Sequence, residues 1–89
     1  MEIKAYVLCK VHSGTEREVC NMITQYSNVS EAAILYGEYD VIVVLKANTL
    51  QQLDFIIDKI RMIPSITFTS TVIVGKKYKE NGAISIGKS

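Results

Sequence analysis

Val41-Ile42-Val43-Val44-Leu45 is an unbroken apolar run, and it constrains the fold more than any other stretch of the chain. A strand that alternates polar and apolar residues has one wet face, whereas a strand that does not is covered on both. The run therefore predicts a central strand from Tyr39 to Ala47 whose second face needs a cover beyond the chain's own helices. Upstream, Val29 to Tyr36 reads as its hairpin partner, with Ser30 and Glu31 giving it the polarity of an edge strand. Gly37-Glu38 between them reads as a two-residue turn, because glycine accepts the positive φ of the first central position.

The remaining segments support this hairpin. Ile3, Ala5, Val7, Cys9 and Val11 recur at period two, with Lys4, Tyr6, Leu8 and Lys10 opposite them. That pattern predicts a second central strand from Ile3 to Val11, charged at the ends of its outer face and apolar in the middle. Ser13-Gly14-Thr15-Glu16 has capping-box spacing and predicts a helix to about Tyr26, with Val19, Met22, Ile23 and Tyr26 as its apolar stripe and Cys20 beside them. Thr49 and Gln52 repeat the capping pattern before a second helix to about Met62. Its core stripe is Leu53, Ile56, Ile57 and Ile60; Leu50 and Phe55 extend the apolar surface, and Arg61 complements the helix dipole. Pro64 forbids continuation. A last strand is expected from Ile66 to Val74, with Ile66, Phe68, Ser70, Val72 and Val74 on one face and Thr67, Thr69, Thr71 and Ile73 on the other.

The order βαββαβ is an α+β arrangement. Right-handed crossovers fold it into a ferredoxin-like, four-stranded antiparallel sheet with both helices on one face and the two apolar strands in the middle. Residues 1–75 form this domain and 76–89 a polar tail, in which Ala83-Ile84-Ser85-Ile86 reads as disorder or a partner-dependent strand. The open sheet face is lined by Tyr6, Leu8, Ile42 and Val44, with Ile34 and Ile73 as neighbours. Such a patch predicts a partner, most simply a second copy across a two-fold axis, in the manner of a dimeric α/β barrel. Composition agrees: 48% hydrophobic residues in 89 is more than one small core absorbs.

Charge and motifs exclude several functions. Ten Lys and Arg against nine Asp and Glu leave a net charge of +1, which is no footprint for nucleic acid. Lys76, Lys77, Lys79 and Lys88 read as a solvated tail. Cys9 and Cys20 have neither metal-ligand nor redox spacing and read as buried thiols in a reducing compartment. His12 is the lone histidine, and Asp54 and Asp58 read as solvated helix-surface groups. With no nucleophile–base pair, zinc motif or phosphate-binding loop, no enzyme activity, metal or cofactor is expected. The start of the chain has no signal-peptide pattern and no run reaches membrane-spanning length, so a cytoplasmic setting without membrane contact is expected.

What remains is Tyr36-Gly37-Glu38-Tyr39-Asp40, opposite Thr69-Ser70-Thr71. Backbone N–H groups and hydroxyls suit a carboxylate, and acidic side chains suit an ammonium, so a small zwitterion matches the set. The same residues also have a purely structural reading, as turn formers, a local backbone acceptor and ordinary strand threonines.

At this hairpin the sequence resembles the effector-binding RAM module of Lrp/AsnC regulators. Gly14 through Val19 is similar to the family's Gly-x-x-x-x-Val helix opening, and Val29-Ser30-Glu31-Ala32 to its Val-x-x-Ala strand entry. Gly37-Glu38-Tyr39-Asp40 resembles its Gly-x-Tyr-Asp signature. Ile63-Pro64-Ser65-Ile66 and Thr69 through Val74 resemble its closing segment, with Ser65 in place of the usual glycine. The resemblance covers roughly Ile3 to Val74. It implies dimers formed through the sheets that associate into rings, often octamers, and small effectors, commonly amino acids, held between dimers. It implicates Gly37, Tyr39, Asp40, Thr69 and Thr71, with Tyr36, Glu38 and Ser70 as neighbours. Family regulators place a helix-turn-helix domain ahead of this module. Here the first strand starts at Ile3, so the expectation is a stand-alone module that co-assembles with full-length regulators and does not read DNA itself. Competing readings are a constitutive assembly protein without effector and an ACT-like amino-acid-binding domain, which shares the topology. A metal-free oxygenase of the dimeric barrel type would need a polar cavity between helix and sheet, where this sequence is aliphatic.

Overall fold

Alternation in the first strand decides which side of the sheet is inside. In the computed structural model, which describes residues 2–79, β1 (Ile3–Val11) turns Ala5, Val7, Cys9 and Val11 into the core and Lys4, Tyr6, Leu8 and Lys10 away from it. The chain continues through α1 (Glu16–Ile23), β2 (Val29–Ile34), β3 (Val41–Ala47), α2 (Leu50–Arg61) and β4 (Ile66–Ile73). The sheet order is β2-β3-β1-β4 with every pairing antiparallel, so the two most apolar strands are central as expected. Val41, Val43, Leu45 and Ala47 of β3 join the inward residues of β1 beneath Val19 and Ile23 of α1, Leu53, Ile56 and Ile60 of α2, and Ile63. The expected segment 83–86 lies outside the described residues.

The second helix starts as its sequence predicts. The Thr49 hydroxyl accepts from the Gln52 amide at 3.1 Å, and the Gln52 side chain accepts from the Asn48 amide at 3.0 Å. Together they satisfy donors that the first helical turn leaves open. Lys59 and Arg61 sit in the last turn, where cations offset the carbonyl end of the dipole.

The first helix differs from expectation at both ends. Ser13 does not cap it. The chain turns between His12 and Thr15, with the Thr15 amide and hydroxyl both donating to the His12 carbonyl, at 3.1 and 2.6 Å. Gly14 takes φ +88° inside that turn, a conformation only glycine adopts without strain. The turn consumes the would-be capping box and leaves Thr15 as N-cap with no side-chain cap bond. At the other end the helix stops at Ile23, which leaves Tyr26 outside it, and within the helix only Val19 and Ile23 are buried, so Met22 and Tyr26 are exposed instead of completing the core stripe.

Both edge strands break their alternation. The β2–β3 register shifts between Val29 and Glu31, and the β1–β4 register shifts between Lys10 and Val11, opposite Phe68 and Ile66. Each shift is a bulge that sends neighbouring residues to unexpected faces. Ile66 pairs with Val11 on the helix side, whereas Phe68 pairs with Lys10 on the open side. Ile34 and Ile73 pair with Val41 and Ala5, on the helix side, and so do not join the open-face patch. That patch is instead Tyr6, Leu8, Ile42, Val44, Ala33, Phe68 and Val72, with Phe68 50% and Val72 52% exposed.

Candidate functional site

β2 ends at Ile34 and β3 begins at Val41, so residues 35–40 form the connection where a two-residue turn was expected. Among the described residues the positive-φ glycine is Gly14, not Gly37. The cause lies in Asp40, which bonds to β1. Its amide donates to the Cys9 carbonyl at 2.8 Å, and its Oδ2 accepts from the Val11 amide at 2.8 Å. The first bond extends the β1–β3 ladder by one residue, and the second lets the carboxylate satisfy the next free amide of β1. The chain between loops outward, closed at its base by the Leu35 amide donating to the Asp40 carbonyl at 2.8 Å.

This geometry divides the hairpin residues between two surfaces. Tyr39 goes to the open face, where its ring stacks on Phe68 at 6.4 Å and 25°. Lys10 Nζ lies 5.7 Å from the centroid of each ring, within cation–π range. Tyr36, Gly37 and Asp40 instead line a cleft of about 740 Å³ with Ile34, Leu35, Gly14, Glu16 and Arg17. Small-molecule clefts span roughly 300–1,000 Å³, so the space suits a metabolite. Tyr36 is 98% exposed at its rim. Glu38 is exposed and lies outside the lining.

The threonines stand elsewhere. Thr69 and Thr71 pair with Cys9 and Val7 on the helix side of β4, and Ser70 pairs with Leu8 on the open side. Thr69 lines a smaller cleft of about 330 Å³ with Arg61, Ile66, Thr67 and Phe68. Since β1 separates β3 from β4, the hairpin and these threonines lie about 10 Å apart at two strand spacings. Neither of these two clefts is lined by both the hairpin and the threonines.

Sequence reasoning missed Gly14, Glu16 and Arg17. The available signal was topological: β1 beside β3 delivers its exit, and therefore the entry of α1, to the base of the β2–β3 connection. The cleft carries charge of both signs, with Arg17 against Glu16 and Asp40. Neither cysteine belongs to it. Burial pushes the Cys9 thiol up to about 11, with the Cys20 thiol adding to the effect, and burial also raises Cys20. Both stay protonated and unreactive at neutral pH.

A βαββαβ sheet of order β2-β3-β1-β4 with both helices on one face places this molecule among ferredoxin-like α+β domains. The chain belongs to the Lrp/AsnC ligand-binding domain family, whose model matches residues 4–84. It is 32% identical over 82 residues to the HTH-type transcriptional regulator FL11 of Pyrococcus abyssi, covering 92% of this chain and 54% of the regulator. The chain thus spans about half the length of the curated relatives it matches. The crystal structure of FFRP-DM1 superposes with a TM-score of 0.76 at 44% identity, over 81% of this chain and 97% of that one. At 16% identity and a TM-score of 0.75, over 88% of this chain and 53% of that one, the fold also matches the transcriptional regulator NMB0573 of Neisseria meningitidis, solved as an L-Met complex. Among the described residues no helix is long and apolar enough to cross a membrane.

Proposed function

We propose that this chain is an amino-acid-binding and oligomerisation module that modulates Lrp/AsnC regulators by co-assembly and does not itself bind DNA. The observation that carries the ligand half is the cleft lined by Gly37 and Asp40, two residues of the family's hairpin signature, together with their neighbour Tyr36. A relative that binds L-Met supports the ligand class. The assembly half rests on the open sheet face. Tyr6, Leu8, Ile42, Phe68 and Val72 form an apolar field with Lys4 and Lys46 at one end and Lys10 at the other, which suits a two-fold partner of the same sequence. In such an assembly Thr69 and Thr71, on the edge strand, are the residues left to meet a ligand held by the hairpin of another dimer, while Ser70 and Tyr39 lie on the face given to the two-fold partner. Binding between dimers then favours whichever assembly completes the site, by an amount set by differential affinity.

A second reading has its own support. Asp40 spends its Oδ2 on the Val11 amide, and that bond gives the signature aspartate a structural task with no ligand present. A constitutive assembly module would need nothing more. Light scattering separates the two readings. An effector module changes its mass distribution when one of the common amino acids is added, and the same amino acid raises its melting temperature. A mass above dimer that ignores all of them, with no thermal shift, supports the constitutive scaffold; a monomer rejects both.

A further inference from the structure

We propose that Arg17 is the carboxylate anchor of the hairpin cleft and sets its selectivity for ligands carrying a free carboxyl group. This rests on the amino-acid-binding reading above. The cleft is about 740 Å³ and has two kinds of wall. The hairpin wall offers Asp40, Tyr36 and the backbone of Gly37; the opposite wall, where α1 begins, offers Glu16 and Arg17. Arg17 is the cation of the lining, and among the described residues it has no ion-pair partner.

Arginine presents a planar fork of donors that matches a carboxylate in two parallel hydrogen bonds, and it stays charged at any working pH. An α-amino acid carries that carboxylate one carbon from an ammonium. With the carboxylate on Arg17, the ammonium faces the Asp40 and Glu16 carboxylates, and the side chain lies along Ile34. The alternative orientation, with the carboxylate toward the hairpin, would set it against Asp40 and leave Arg17 unused. Like charges placed together are disfavoured there, so the lining selects one orientation. Gly14 also lines the cleft, and its φ of +88° makes the sharp turn between β1 and α1 that leads the chain into Glu16 and Arg17.

The test pairs a protein change with a ligand change. Thermal shift against each of the twenty common L-amino acids identifies the one that binds. Calorimetry then compares that amino acid with its carboxamide, on wild type, Arg17→Gln, Arg17→Lys and Glu18→Gln. Glu18 is exposed, lies on the same helical turn and is outside the lining, so it controls for a general change of charge. Removing a charge-assisted pair is expected to weaken binding by at least about tenfold. The carboxamide should lose that factor on wild type, and Arg17→Gln should lose it for the free acid. On Arg17→Gln the acid and the carboxamide should bind alike, because the interaction that separates them is gone. Arg17→Lys should retain part of the preference, and Glu18→Gln all of it. If an amino acid binds but its carboxamide binds equally well, or Arg17→Gln keeps the preference, the anchor is refuted and the effector reading stands. If no amino acid binds wild type, both fall together.

Discussion

Removing the Asp40 carboxylate tests whether the hairpin aspartate has a structural task of its own. In Asp40→Ala the Val11 amide loses the acceptor now 2.8 Å away, at the end of a central strand. A buried donor left without a partner costs about 1–3 kcal/mol, and since Asp40 is half-buried the lower half of that range applies, about 1.5 kcal/mol. For a domain of this size, 1 kcal/mol moves the midpoint by about 4–8 °C, so the variant should melt about 6–12 °C below wild type. Asp40→Asn keeps an acceptor oxygen and loses only the charge assistance, so it should fall about half as far. Both melts are followed by circular dichroism at neutral pH, at one protein concentration because the assembly state enters the midpoint. Amide exchange at Val11, read by NMR, supplies a local check, since its protection should fall in Asp40→Ala. An Asp40→Ala midpoint within about 2 °C of wild type, with Val11 still protected, would show that the bond contributes nothing and that the loop is held by its backbone alone.

Three further outcomes follow from the fold. Thr49→Ala removes the N-cap of α2 and should cost about 1 kcal/mol in urea unfolding, with m unchanged. Val72→Asp places a charge on the open face at a half-exposed site, so the fold should survive while light scattering shows loss of the proposed sheet-to-sheet dimer; a wild-type mass that the substitution leaves unchanged would move the interface elsewhere. Because burial raises the Cys9 thiol from 9.0 to about 11, its contribution to stability is complete below pH 9 and is lost as pH rises through the folded value. Between pH 9 and 11 the wild type should therefore lose stability faster than Cys9→Ala, as measured by denaturant midpoints across that window.

The central strands were legible because burial of one face writes itself as period two in β1, and apolarity on both faces as a continuous apolar run in β3. The cap at Thr49 was legible because its partners lie within one turn. The edges were not. A bulge is a matter of pairing, and nothing in Val29-Ser30-Glu31 or Ile66-Thr67-Phe68 states which residue will be skipped. The hairpin was misread for a related reason: Gly37-Glu38 suits a tight turn locally, but Asp40 bonds to Cys9 and Val11, far away in sequence, and those bonds decide where the loop closes. The cleft was half legible. Tyr36, Gly37 and Asp40 carried a pattern, while Arg17 comes to them only through strand order.

The two bulges have a consequence for how copies of this chain meet. β2 and β4 are the margins of an open sheet, and each leaves one row of backbone donors and acceptors unmatched. A straight margin of that kind is a template on which another chain can add strand after strand without limit. The irregularities at Ser30 and Thr67 bend each margin out of the geometry that such addition requires, and the Ser30 and Thr67 hydroxyls fold back onto the Val44 and Lys10 carbonyls, at 3.3 and 3.2 Å. Lateral growth into fibres is thereby discouraged at both margins, while the broad apolar face stays available for contacts that close on themselves.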